Sequence, residues 1–190
     1  MHAIGERRSR PGISAVLVAS DGLDGAVLDL AAVLDGLVPQ SYEIIVVGDA
    51  ARTSDLRARA PRLPLRTIGA DSAADPVYDL VFVAARDGRF DVRELNHLLE
   101  AVQQGADVAA GYRPRRTDGI VRRLQHWGCN VDVDCAFALL RSDVVSEANS
   151  YGCANLSMRA RRLGFRVVDV PVSRRRPTIG VAATASERAA

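Results

Sequence analysis

The sequence predicts an α/β fold with a mostly parallel central sheet and helices on both faces. Three observations predict it. Continuous apolar runs rich in β-branched residues recur along the chain, stretches with apolar residues at helical spacing separate several of them, and turn-forming clusters divide the two kinds of segment. Sheets of this kind bind ligands beyond the carboxyl ends of their strands.

Ile13–Ala19 (ISAVLVA) is the first strand, with the character of one covered on both faces. After the turn-like Ser20-Asp21-Gly22, residues Val27, Leu30, Ala31, Leu34 and Leu37 share one helical face, and Pro39 ends the helix. Tyr42–Val47 (YEIIVV) is a second strand and Leu65–Ile68 a candidate third. Asp79–Ala84 (DLVFVA) is the fourth, followed by the polar Arg86-Asp87-Gly88 and a helix from Val92 to Gln104 that turns Leu95, Leu98, Leu99 and Val102 inward. Ala106–Tyr112 returns as a strand. Gly111 to Asn130 is arginine-rich without a period. Val133–Leu140 reads as a strand, Ser142 as the cap of a short helix, Cys153–Leu163 as a helix and Val167–Val172 as the last strand. Residues 1–12 are read as a flexible basic leader, 13–176 as a single domain and 177–190 as a disordered tail.

A chain of 190 residues fits one core, and 48% hydrophobic with 25% charged residues is the balance of a globular protein, not a disordered one. All 25 basic residues are arginine, against 23 acidic ones. Net charge is therefore close to zero, but Arg113, Arg115, Arg116, Arg122, Arg123 and Arg174–Arg176 crowd the second half, and guanidinium groups favour bidentate contact with phosphates. An anionic ligand is expected. Nucleic acid is not a specific partner on this reading, because no recognition motif is present and 5% aromatic residues offer few stacking platforms. Cys129, Cys135 and Cys153 form no C-x-x-C pair and argue against a disulfide scaffold. No apolar run approaches the roughly 20 residues of a membrane span, so a cytoplasmic protein is expected, with peripheral membrane contact through arginine left open. His97 and His126 have no second histidine at metal-ligand spacing, which favours structural roles.

The segments ISAVLVASDG, YEIIVVGDA, YDLVFVAARDGRFDVREL, GADVAAGYRPRR, VDVDCAFALLRSDV and LGFRVVDVPVSRRR, in this order and spacing, resemble family 2 glycosyltransferases, most of all the branch acting on polyprenyl phosphates. The resemblance implies a GT-A type, Rossmann-like nucleotide-sugar transferase fold. It implies a UDP-, GDP- or dTDP-sugar donor over the first four strands, near Ala19, Asp21, Asp49, Arg86, Asp87 and Arg89. It also implies an Asp-x-Asp motif holding Mg2+ or Mn2+ after the fourth strand. Here that motif reads Ala85-Arg86-Asp87, so Asp87 is the one remaining metal ligand. Arg86 and Arg89 carry fixed positive charge that can meet a diphosphate in the metal's place. Asp132 and Asp134 match the acidic position near the acceptor; because they alternate they point to opposite faces, and Asp132 is preferred as general base. Arg113, Arg122, Arg123, Arg174, Arg175 and Arg176 match basic positions near donor or acceptor phosphates. Cys135, within VDVDC, is read as a small core residue. Three departures thin this pattern. One carboxylate remains in each of the first two loops, about ten residues between Ile68 and Asp79 leave no room for the usual helix, and the acceptor-side segment is short. A non-catalytic binding or scaffolding relative is the alternative implied by these departures.

Overall fold

A computed structural model describes residues 10–19, 23–38, 41–48, 50–69, 74–84, 91–112, 135–148 and 153–172. Its elements in chain order are β1 (Arg10–Val18), α1 (Leu23–Leu37), β2 (Tyr42–Val47), α2 (Ala50–Arg59), β3 (Leu65–Ile68), β4 (Tyr78–Ala84), α3 (Leu95–Gln103) entered through a short 3-10 turn (Val92–Glu94), β5 (Val108–Tyr112), β6 (Cys135–Arg141), α4 (Ser142–Ala148), α5 (Cys153–Arg162) and β7 (Val167–Pro171).

The seven strands form one sheet in the order β3-β2-β1-β4-β6-β5-β7. All neighbours are parallel except β6, which runs antiparallel to both β4 and β5. This is the expected α/β architecture, and the apolar strand sequences follow from it. Ile13, Ala15 and Leu17 of β1 face one side with Ile44, Val46, Phe82, Phe137 and Leu139, where Val27, Leu30 and Leu34 of α1, Leu56 of α2 and Leu95 and Leu98 of α3 cover them. Val16, Ile45, Val81, Val83, Ala138 and Leu140 face the other side, under Val144 and Val145 of α4 and Leu156 and Ala160 of α5. Each central strand buries both faces, so alternation disappears and the run reads as continuously apolar. Phe82 and Phe137 pack with ring centroids 5.7 Å apart, joining β4 to β6.

Four local details differ from the sequence reading. β1 begins at Arg10, so Arg10, Pro11 and Gly12, assigned to the leader, belong to the sheet. Arg10 pairs with Tyr78 and donates to Val77 O, and the register then shifts before Ile13. Pro11, which has no N–H to offer a ladder, is accommodated at that irregularity. α2 has no counterpart in the sequence reading because it buries only Thr53 and Leu56, too sparse a stripe to give a period. α1 starts at Leu23, four residues before the first residue of its apolar stripe, Val27. Ser142 is the first residue of α4 and not its cap. The start of the strand expected at Val133 lies outside the described residues. Among the described residues, no helix is long and apolar enough to cross a membrane.

The passage from β3 to β4 contains no helix at residues 74–77. Polar contacts hold this extended segment on the sheet. Glu43 Oε1 accepts the Val77 N–H at 2.8 Å and the Ser14 hydroxyl at 2.8 Å, while Ser14 Oγ accepts the Tyr78 N–H at 3.1 Å. Arg66 donates to Glu43 Oε2 at 2.8 Å and also to the carbonyl of Asp75. Ser14 is fully buried, and these two bonds satisfy it.

Candidate functional site

The ends of the strands form a level row along one edge of the sheet. Val18 stands beside Val47, and Val47 beside Ile68. Val16 is opposite Val83 in the parallel β1–β4 pair, so Ala84 ends one position below Val18, about 4.8 Å to its side. Tyr112 of β5 is opposite Pro171, the last residue of β7. β6 arrives at this edge because it is antiparallel: Phe137 is opposite Ala84, and Cys135 opposite Tyr112. An antiparallel strand between β4 and β5 thus brings its entrance, not its exit, to the row where the parallel strands end.

That row collects the segments singled out in the sequence. Asp21 follows Val18 by three residues, Asp49 follows Val47 by two, and Arg86, Asp87 and Arg89 follow Ala84 by two, three and five. Arg113 follows Tyr112 directly, Asp132 and Asp134 precede Cys135, and Arg174, Arg175 and Arg176 begin three residues after Pro171. The strands therefore bring the flanking residues of every one of these positions to one edge. Asp21, Asp49, Arg86, Asp87, Arg89, Arg113, Arg122, Arg123, Asp132, Asp134, Arg174, Arg175 and Arg176 themselves lie outside the described residues, as do Ala85 and His126.

Ala19 is described. Its N–H donates to Val47 O at 2.9 Å, extending the β1–β2 pairing by one bond, and its side chain is half-buried. Beside it Gly48 donates to Ile68 O at 3.0 Å and turns the chain at φ +112°. A Cβ at Gly48 would stand 3.4 Å from Ala19 Cβ, an ordinary contact, so the backbone angle and not space requires glycine here. At β4's side of the row, Asp91 accepts the Arg93 N–H at 3.1 Å and caps the turn leading into α3.

A polar cluster that the sequence reading did not single out flanks the β1 and β2 ends. Asp24, in the first turn of α1, lies 3.6 Å from Arg52 Nε of α2 and is also bonded by Arg59. An acidic residue in a helix's first turn is favourably placed against the helix dipole, and this was the available sequence signal for it. Among the described residues, no group of three or more His, Cys, Asp or Glu stands together to hold a metal ion. His97, expected to be structural, lies 3.6 Å from Glu94 on the exposed face of α3.

A level strand-end row on this strand order, with one antiparallel strand inserted, is the architecture of the Rossmann-like α/β fold of nucleotide-sugar transferases, GT-A type. The chain matches no protein-family model, and no curated protein matches its sequence. Solved structures do match its fold. 4-Diphosphocytidyl-2C-methyl-D-erythritol synthase from Anaerococcus prevotii aligns with a TM-score of 0.56 at 13% identity, over 86% of this chain and 88% of that one. Glucosyl-3-phosphoglycerate synthase from Mycobacterium tuberculosis bound to phosphoglyceric acid aligns with a TM-score of 0.57 at 15% identity, over 86% and 71%. The same enzyme bound to Mn2+ and UDP-glucose aligns with a TM-score of 0.57 at 13% identity, over 89% and 73%. At these identities the likeness is one of fold.

Proposed function

We propose that this chain is a divergent family 2 glycosyltransferase that moves a sugar from a UDP-, GDP- or dTDP-sugar to a small acceptor, a polyprenyl phosphate or another hydroxyl- or phosphate-bearing molecule. The observation that carries the reading is the common edge at which β1, β2, β4, β5 and β7 end and β6 begins. Asp21, Asp49, Arg86, Asp87 and Arg89 leave or follow that edge within five residues of it, as do Asp132 and Asp134 at the entrance to β6.

In the reaction an acceptor oxygen attacks the anomeric carbon of the sugar, the bond from that carbon to the diphosphate oxygen breaks, and the proton of a hydroxyl acceptor passes to a carboxylate, whereas a phosphate acceptor attacks already ionised. Asp132 is assigned as that base, with Asp134 as the alternative. The departing nucleoside diphosphate gains negative charge. Arg86, Arg89, Arg113, Arg122, Arg123 and Arg174–Arg176 supply positive charge for it, and Ala19, Asp21 and Asp49 are assigned to the donor. Asp87 is the residue to which Mg2+ or Mn2+ would attach; with one carboxylate instead of two, the arginines are assigned the larger share. A protein of this kind is expected to work in the cytoplasm.

A second reading follows from one sequence observation, Ala85 at the first acidic place of the motif: a catalytically degenerate relative that binds a nucleotide or serves as a scaffold. Calorimetric titration with UDP-, GDP- and dTDP-sugars, with and without Mn2+, separates the readings from each other and from neither. Binding with turnover supports transfer, and binding without turnover supports the degenerate relative. No binding at millimolar donor sinks transfer and nucleotide binding and leaves the scaffold. Under the degenerate reading, Ala85→Asp restores metal-dependent hydrolysis of the donor.

A further inference from the structure

We propose that the C-terminal shoulder of α5, residues 159–166, docks on an anionic membrane surface, with Leu163 entering the headgroup layer and the arginines beside it meeting lipid phosphates. α5 ends in a glycine cap: the Phe165 N–H donates to Ala160 O at 3.0 Å and the Gly164 N–H to Arg161 O at 3.1 Å, with Gly164 at φ +88°. Phe165 supplies the apolar contact that such a cap uses, packing inward against the core under α5. Leu163 is left out of it. It is 51% exposed, the most exposed large apolar side chain among the described residues, and a Cβ at Gly164 would meet nothing within 4 Å, so the turn stands clear of the body.

Positive charge flanks this leucine. Arg159 lies one helical turn before it, its carbonyl accepting the Leu163 N–H at 3.0 Å, and Arg162 directly precedes it. Both are exposed, and among the described residues neither has an acidic partner; Arg162 donates to Met158 Sδ at 3.8 Å. The other charges nearby offset one another. Arg161 holds both oxygens of Asp169, at 2.8 and 2.7 Å, and Arg141 lies 3.4 Å from Asp143. Arg166 gives Nη1 to Gln104 O at 3.3 Å and its backbone N–H to Asp107 at 2.8 Å, which sets that carboxylate beside it. The excess is therefore Arg159 and Arg162, one on each side of Leu163. An anionic bilayer fits this arrangement, because leucine gains by entering the acyl boundary and each arginine near such a surface strengthens binding about fivefold. A nucleic acid would need stacking platforms, and Phe165, the aromatic side chain of the shoulder, is turned inward. A folded protein partner would need about 800 Å2 of contact on its side, more than one convex turn offers. β7 begins just beyond the shoulder, at the end of the sheet opposite the strand-end row, so docking here leaves the row open to a donor in solution. The proposal does not depend on sugar transfer.

Co-sedimentation of the full chain with phosphatidylcholine vesicles, with and without phosphatidylglycerol, tests it. The parent is expected to bind the vesicles that contain phosphatidylglycerol and to leave them as salt is raised, and no binding to them overturns the proposal. R159Q/R162Q is expected to lower the partition coefficient about twentyfold and L163S about fivefold, with unchanged melting curves. An unchanged coefficient in either variant overturns it. R62Q/R93Q removes the same charge from exposed positions elsewhere and is expected to bind as the parent does; a loss equal to that of R159Q/R162Q overturns the site. L163W gives a readout apart from sedimentation. Its added emission is expected to shift to the blue with phosphatidylglycerol vesicles, and emission that does not move shows that the turn stays out of the lipid and overturns the proposal. Binding to single-stranded RNA that R159Q/R162Q abolishes, without binding to vesicles, would assign the shoulder to nucleic acid and equally overturn it.

Discussion

Glu43 accepts the backbone N–H of Val77, thirty-four positions further along the chain, at 2.8 Å. Through this bond Glu43 of β2 fixes residues 74–77, the described part of the passage into β4, with Arg66 bound to the same carboxylate and to Asp75 O. Burial alone would raise the Glu43 pKa, but Arg66, the Val77 N–H and the Ser14 hydroxyl together hold it below the ordinary 4.5. A carboxyl whose folded pKa is depressed stabilises the fold above its unfolded pKa and loses that contribution as pH falls through the folded value. Glu43→Gln is therefore expected to cost about 1–3 kcal/mol at pH 7, the range for leaving buried partners of a charged group poorly satisfied. The difference from the parent should shrink below about pH 4. Urea unfolding of both proteins at the two pH values measures it, and an equal cost at both would refute the role of the charge.

The Tyr42 hydroxyl donates to Asp35 Oδ1 at 2.9 Å, tying the start of β2 to the last turns of α1. Burial, followed by the bond to Asp35 and its negative charge, pushes the phenol up from 10 to about 12. Here the raised value favours the neutral form, so the stabilisation is complete below the unfolded pKa near 10 and is lost as pH rises through the folded value. Ultraviolet titration should show a late-ionising phase, and Tyr42→Phe should remove it. The substitution should cost about 0.5–1.5 kcal/mol at neutral pH, the net worth of one hydrogen bond.

Strands covered on both faces were the most legible part of this fold, because Ile13–Leu17, Ile44–Val46 and Val81–Ala84 are buried and their sequences contain little else but apolar residues. α3 was legible for the converse reason: it turns Leu95 and Leu98 to the core while His97 stands exposed, and that contrast gives the period. α2 escaped because a helix at the sheet's β3 flank buries two residues and leaves the rest to solvent. The direction of β6 was not legible at all. An antiparallel strand between two parallel neighbours has the same two-sided burial as they do, and its direction depends on pairing with Ala84 and Tyr112, far away in sequence. The strand-end row was therefore only half visible beforehand: the βα order announced which loops share an edge, whereas the arrival of Cys135 there required the register. The partners of Asp24 and Glu43, namely Arg52, Arg59, Arg66 and Val77, lay beyond sequence reasoning because tertiary packing brings them together.

Arg57 donates from Nη2 to the carbonyl of Leu65 at 2.6 Å. Pro64 O, just before β3, accepts from Ile44 of β2, and Ile68 O accepts from Gly48, just after β2, so the alternating carbonyl of Leu65 faces the outer edge of the sheet. The arginine thus covers a group that an exposed edge would offer to another strand. Arg57→Ala is expected to cost about 1 kcal/mol, the net worth of one part-buried hydrogen bond. Its larger effect should be on association: light scattering at high concentration should show self-association that the parent lacks. A monodisperse variant at the same concentration would refute edge protection.

Gly12 and Gly25 are expected to respond to alanine with opposite signs. Gly12 sits at φ +148° in the irregular start of β1, with its N–H on Asp79 Oδ1 at 2.9 Å. A Cβ there would stand 2.1 Å from the Ser41 carbonyl oxygen and 2.4 Å from the Tyr78 ring. The ring is the edge of a side chain, but Ser41 O accepts the Ile13 N–H and cannot retreat without breaking the β1–β2 junction. Gly12→Ala therefore combines backbone strain with a collision against fixed main chain, and a loss of about 2–4 kcal/mol is expected from strain and overpacking together. Gly25 lies in the first turns of α1, where a Cβ meets nothing within 4 Å. There alanine removes unfolded-state freedom without a steric cost and should stabilise by about 0.5–1 kcal/mol. Thermal unfolding of the two variants beside the parent measures both, and a Gly12→Ala protein as stable as the parent would show that β1 does not begin where the register places it.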